Sequence, residues 1–136
     1  MNSSVAAGAV TAVRPRILVI EDEPSVAAFL RAALERRGYE VVTASSAADG
    51  LQQLASSDFR GVISDFRTPG EINGADVQDW LRRHRPDLAA RIIFITGDTA
   101  SDETIQLLAR AGTLCIEKPF RVHQLMAAVE KAIGRP

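Results

Sequence analysis

Glu21, Asp22, Asp65, Thr96 and Lys118 are side chains with the charge and reach to handle a phosphoryl group, and each follows a short apolar run. Ile17-Leu18-Val19-Ile20 precedes Glu21-Asp22, and Gly61-Val62-Ile63-Ser64 precedes Asp65. Ile92-Ile93-Phe94-Ile95 precedes Thr96-Gly97, and Leu114-Cys115-Ile116 precedes Glu117-Lys118-Pro119. Two carboxylates ~4 Å apart repel by about 4 kcal/mol at the effective dielectric of a partly buried site. If Glu21, Asp22 and Asp65 meet, they need either protonation or a divalent cation among them. Mg2+ suits that donor set, because it takes one or two carboxylates together with waters and phosphate oxygens. A carboxylate is also a nucleophile toward phosphorus. The cation, the Lys118 ammonium and the Thr96 hydroxyl are then available to neutralise or bind the incoming group. The lysine stands out by composition: the chain has fourteen arginines but only Lys118 and Lys131 as lysines. A lysine beside Pro119 in so arginine-rich a chain suggests a need for a compact point charge.

These residues converge only if the apolar runs are neighbouring parallel strands. Runs this short and continuously apolar, separated by helical patterns, read as strands buried on both faces. In such sheets ligands lie beyond the carboxyl ends of the strands. The helical patterns fit. After Pro24, residues Val26, Phe29, Leu30, Ala33 and Leu34 recur at helical spacing until Gly38. Glu40 to Thr43 is a further short strand. Ser45 or Ser46 then caps a helix carrying Ala47, Leu51 and Leu54. Thr68 to Gly74 reads as a loop, followed by a helix with Val77, Trp80 and Leu81 inward that Pro86 ends. Thr99 to Glu103 opens a helix with Ile105 and Leu108, and Val122, Leu125, Met126, Val129 and Ile133 form an amphipathic last helix. The expected fold is α/β: a (βα)5 doubly wound parallel sheet with helices on both faces.

Length and composition bound the rest. A chain of 136 residues with net charge −1 is expected to be one soluble domain, without the basic footprint of a nucleic-acid binder. No apolar run reaches the ~20 residues of a membrane helix. Residues 1–14 lack the basic start of a secretory signal and are expected to be a flexible tail to a domain over 15–134. The single Cys115 excludes an internal disulfide and agrees with a cytoplasmic location.

Five segments together resemble the receiver domain of two-component response regulators: Ile-Leu-Val-Ile-Glu-Asp-Glu-Pro (17–24), Ser-Asp-Phe-Arg-Thr-Pro (64–69), Asn-Gly (73–74), Ile-Thr-Gly (95–97) and Glu-Lys-Pro-Phe (117–120). The resemblance covers about residues 15–134. It implies a flavodoxin-like sheet of order 2-1-3-4-5, the order that the fold's known example, a chemotaxis regulator, displays. It also implies that Asp65 is the phospho-acceptor, and that Asp22, Asp65 and the main-chain carbonyl of Arg67 hold Mg2+, with Glu21 acting through a water. Thr96 and Lys118 would contact the phosphoryl group, and the Lys118–Pro119 bond would be cis. The implied partner is a histidine kinase or a histidine phosphotransfer domain. It would dock beside Ser25, Ala28 and Ala32, small residues on one face of the first helix.

Four features depart from the family pattern or leave its use open. Arg67 and Asp98 flank the expected path of the attacking water, where a charged pair would tune phosphoryl lifetime. Cys115 stands where many members carry Tyr or Phe, and a thiol cannot sweep the same volume. The stretch from Pro69 to Gly74 is one residue longer than usual. The fifth strand lacks the acidic residue of the symmetric dimer of transcription-factor receivers, so a monomer or weak dimer is expected. His84 and His123 are expected on the surface, without a catalytic partner. With no effector domain in the sequence, output is expected through protein–protein contact and without DNA binding. A receiver cut from a hybrid sensor kinase is the alternative; the 96–99 and 114–120 stretches resemble such receivers. A small aspartate-dependent phosphohydrolase is a further rival, but its D-x-D-x-T motif needs a second carboxylate at Arg67. A pseudo-receiver would be expected to lack an acid, the acceptor or the lysine, and none is missing.

Overall fold

The apolar runs pair side by side, and every strand pairing among the described residues is parallel. In the computed structural model, which describes residues 14–66, 72–97 and 112–136, the strands are β1 (Arg16–Ile20), β2 (Glu40–Ala44), β3 (Gly61–Asp65), β4 (Ile92–Thr96) and β5 (Leu114–Glu117). They lie in the order β2-β1-β3-β4-β5, the expected flavodoxin-like 2-1-3-4-5 arrangement. The register sets Ile17 opposite Gly61, Asp65 opposite Ile95 and Thr96 opposite Glu117. The carboxyl ends of β1, β3, β4 and β5 therefore share one edge.

Alternation along the strands divides the core into two layers. Ile17, Val19, Ile63, Ile93 and Ile95 face α1 (Pro24–Arg36) and α5 (Val122–Ala132), meeting Leu30, Leu34, Leu125 and Val129. Leu18, Ile20, Val62 and Phe94 face α2 (Ala47–Ser56), α3 (Gly74–His84) and the single turn α4 (Pro86–Ala89), meeting Leu54, Val77, Leu81 and Leu88. Every residue of β3 and β4 is buried, as a parallel sheet covered on both faces requires. The helix expected to carry Ile105 and Leu108 lies outside the described residues, as do residues 1–13.

Local signals fix the ends. Gly38, at φ +100°, takes the left-handed conformation that stops the chain after α1. Ser46 caps α2, its hydroxyl accepting from the Asp49 N–H at 3.1 Å. Asn73 caps α3: its Oδ1 accepts from the Ala75 and Asp76 N–H groups at 2.9 and 3.2 Å, and Asp76 Oδ2 accepts the Asn73 N–H at 2.9 Å. The reciprocal box between Asn73 and Asp76 fixes where α3 starts.

Three positions differ from the sequence pattern. Phe29 and Val122, expected inward, are 41% and 39% exposed. The buried stripe of α1 runs through Leu30, Ala33 and Leu34, and Phe29 lies to one side, its ring 5.8 Å from that of Phe120. Trp80 is half-buried, its ring 4.7 Å from His84. Pro86 ends α3 as expected, since it keeps Arg85 out of the helical region at φ −141° and ψ 69°, and it also opens α4, where its missing N–H costs nothing.

Gly74 is where the fold presses closest on the site. A Cβ there would lie 2.7 Å from Phe94 Cε1 and 3.1 Å from both Cα and O of Phe66. The Gly74 N–H also donates to the Phe66 carbonyl at 3.0 Å. Gly74→Ala is expected to cost about 1–3 kcal/mol as an overpacked contact that backbone cannot relieve. Urea unfolding checks this, and an unchanged midpoint would contradict it.

Candidate functional site

The edge formed by the ends of β1, β3, β4 and β5 gathers acids around one lysine. Glu21 is held just past β1, its N–H donating to the Ala44 carbonyl at 2.9 Å and its Oε2 accepting the Glu23 N–H at 3.1 Å. Asp65 ends β3. One carboxylate oxygen from each of Glu21, Asp22 and Asp65 lies within 4.8 Å of the others. Glu21 and Asp65 are buried and Asp22 is exposed, so the cluster opens to solvent on one side.

Lys118 leaves β5 at a cis Lys118–Pro119 peptide, and its N–H donates to the Thr96 carbonyl at 2.7 Å. Its ammonium nitrogen stands 3.0 Å from Glu21 Oε1, 3.1 Å from Asp65 Oδ2 and 3.2 Å from Glu23 Oε1. Burial opposes its charge, but the Glu21 and Asp65 carboxylates override this and hold the ammonium above the ordinary lysine range. Burial pushes the Glu21 carboxyl up. The Glu23 N–H and Lys118 pull it partly back, and the Asp65 charge raises it again.

The donors suit a hard divalent cation. They are carboxylate oxygens, and the buried Glu21 Oε1 has no directional hydrogen bond among the described residues, although Lys118 is close. An acceptor-only buried oxygen beside two further carboxylates is what Mg2+ coordination uses. Arg67, whose carbonyl was expected as a further ligand, lies outside the described residues, as does Asp98.

Thr96 ends β4, almost fully buried at the next position after the partner of Asp65. The Cys115 thiol, on the same face of β5, donates to its hydroxyl at 3.7 Å. Burial pushes the Cys115 thiol up. Since the thiolate is the nucleophile, alkylation of Cys115 at neutral pH is expected to run slower than that of a free cysteine. It should accelerate as pH rises through and beyond the ordinary thiol range. Iodoacetamide labelling followed by mass spectrometry across pH checks this, and a neutral-pH rate matching free cysteine would contradict it.

The structure thus brings together Glu21, Asp22, Asp65 and Lys118, with Thr96 at the adjoining strand end. It adds Glu23, which spacing alone does not distinguish from its acidic neighbours. A cavity of about 490 Å3 adjoins the ammonium, lined by Glu23, Val26, Phe29, Lys118, Pro119 and Phe120 among others. Ser25, Ala28 and Ala32 are exposed along the neighbouring face of α1, and His84 and His123 are exposed on their helices.

A 2-1-3-4-5 parallel sheet with an acidic cluster and a lysine at its carboxyl edge defines the receiver class. The chain belongs to the response regulator receiver domain family, which residues 17–130 match. It is 34% identical over 119 residues to the transcriptional regulatory protein KdpE of Mycobacterium tuberculosis, a match covering 88% of this chain and 51% of that protein. The chain therefore spans about half the length of that relative. Among solved structures it resembles a CheY-like receiver domain protein of Methanospirillum hungatei JF-1, with a TM-score of 0.79 at 26% identity, covering 89% of this chain and 94% of that one. It also resembles the response regulator TrrA of Thermotoga maritima, solved in complex with Mg2+-BeF, with a TM-score of 0.75 at 30% identity, covering 87% and 98%. Among the described residues no helix is long and apolar enough to cross a membrane.

Proposed function

We propose that this chain is a phospho-accepting receiver. Asp65 takes a phosphoryl group from a phosphohistidine of a histidine kinase or histidine phosphotransfer protein, in the presence of Mg2+, and later loses it to water. The observation that carries this reading is the Lys118 ammonium 3.1 Å from Asp65 Oδ2, beside the Glu21, Asp22 and Asp65 cluster. An Asp65 carboxylate oxygen attacks phosphorus, an O–P bond forms and the donor's N–P bond breaks. The imidazole nitrogen keeps the electron pair and takes up a proton. Lys118 carries the positive charge that meets the transferred group, and the Thr96 hydroxyl donates to one of its oxygens. Glu21, Asp22 and Asp65 would hold Mg2+, with the Arg67 carbonyl as the further ligand implied by the family. When bound, the cation supplies neutralising charge at the phosphoryl oxygens. In the reverse phase water attacks phosphorus, the bond to Asp65 breaks, and inorganic phosphate leaves.

The partner's helix would lie along Ser25, Ala28 and Ala32, whose small side chains allow close approach beside the cavity. Output is by protein contact. A second reading, that this receiver serves within a longer protein, is favoured by the fraction of KdpE it matches. Titration with beryllofluoride and Mg2+, followed through the amide resonances of Thr96 and Lys118, tests the function. Saturable shifts that require both additives are expected, and their absence would overturn the acceptor role.

A further inference from the structure

Three carboxylates surround the Lys118 ammonium, but they are not equivalent. The Glu21 and Asp65 side chains are 1% and 10% exposed and belong to the acidic cluster. Glu23 is 59% exposed, lies outside that cluster, and reaches the ammonium from the solvent side at 3.2 Å. It also borders the cavity beside the lysine. Its backbone position sharpens the contrast. Glu23 is the N-cap residue of α1, yet its side chain makes no cap hydrogen bond. Ser, Thr, Asp and Asn are the residues that serve the free N–H groups from that position, and Glu23 is not one of them. Here it is directed at a lysine instead.

We propose that Glu23 is a positioning residue that acts through Lys118, tethering the ammonium at the mouth of the pocket and competing with the phosphoryl group for it. The inference rests on the acceptor reading of Asp65. The ammonium donates to Asp65 Oδ2 and to Glu23 Oε1, while Glu21 Oε1 faces it as an ion pair without a directional bond. A phosphoryl oxygen that approaches the ammonium from the solvent side competes with Glu23 for it. Glu23 is the replaceable partner, because it is exposed and lies outside the acidic cluster. Retention of the phosphoryl group is therefore weaker than it would be with an untethered lysine.

Glu23→Gln removes the competing charge. Glu23→Asp keeps the charge but shortens the side chain by a methylene, and an N-cap aspartate turns to the helix N–H groups. At saturating Mg2+, both variants are expected to bind beryllofluoride about two- to fivefold more tightly than wild type, the range for loss of one exposed ion pair. The aspartate variant separates a tether from a general field. If it binds like wild type while the glutamine variant binds more tightly, charge alone is at work and the tether is overturned. An unchanged affinity in both variants overturns it equally. Should wild type take up no beryllofluoride, the acceptor reading fails and this inference fails with it. Thermal unfolding of each variant reports the cap separately, so a gain in helix stability in Glu23→Asp is not mistaken for a change in binding.

Discussion

Asp65→Asn is expected to retain no radiolabel from a phosphohistidine donor or a small acyl phosphate, under conditions in which wild type is labelled. The amide nitrogen of asparagine is not a nucleophile toward phosphorus, and its oxygen carries no charge to attack with. The fold should survive. Lys118 keeps Glu21 at 3.0 Å and Glu23 at 3.2 Å, and one source of repulsion among the acids is gone. A stability change within about 1 kcal/mol is expected, because lost pairing and relieved repulsion oppose one another. Labelling that persists in a folded Asp65→Asn protein would move the acceptor elsewhere. Loss of labelling with loss of the folded state would be a different result, which circular dichroism on the same sample distinguishes.

Phe94→Ala is expected to have the largest effect on stability. Phe94 is fully buried in the middle of β4, and its ring meets that of Phe66 edge-on at 5.3 Å. Truncating such a ring costs about 3–5 kcal/mol, from lost transfer energy and the cavity left behind. Against a total of about 5–15 kcal/mol for a typical domain, that is a large share. The effect should reach the site too. Phe94 also lies against Gly74, so the ring supports both the residue after Asp65 and the start of α3. Denaturant unfolding is the check: a loss below about 1 kcal/mol would mean the site collapses around the cavity far better than cores usually do.

The sheet was legible because both faces of its central strands are covered. Ile17–Ile20 and Ile92–Ile95 read as unbroken apolar runs, and a chemically active residue follows each. Helix faces were harder to read. Phe29 and Val122 satisfy the spacing of a buried stripe but sit at its margin, and periodicity does not resolve which edge of a stripe meets the sheet. Pro86 shows the same limit for boundaries, since one residue both follows a helix and opens the next turn. Of the site, Glu21, Asp22, Asp65, Thr96 and Lys118 could be found because each lies at the end of a strand. The contact of Glu23 with Lys118 could not. Three successive acids give no sign of which carboxylate turns back toward a lysine far along the chain, since that depends on how the lysine after β5 reaches along the sheet edge to the end of β1, with β3 and β4 between them. The hydrogen bond from Cys115 to Thr96 likewise follows from register across β4 and β5.

Every strand pairing in the sheet joins distant parts of the chain: Ile17 with Gly61, Val62 with Ile92, Ile93 with Leu114. Each closes a loop on the order of tens of residues before its contacts reward the lost entropy, which places this topology among slower folders than a helical bundle of the same size. The pocket draws on the first strand and the last, so it is complete only when assembly is complete. Competence to hold a phosphoryl mimic therefore doubles as a readout of finished folding, since a chain stalled before Lys118 would lack both the ammonium and the α5 side chains that cover one face of the sheet.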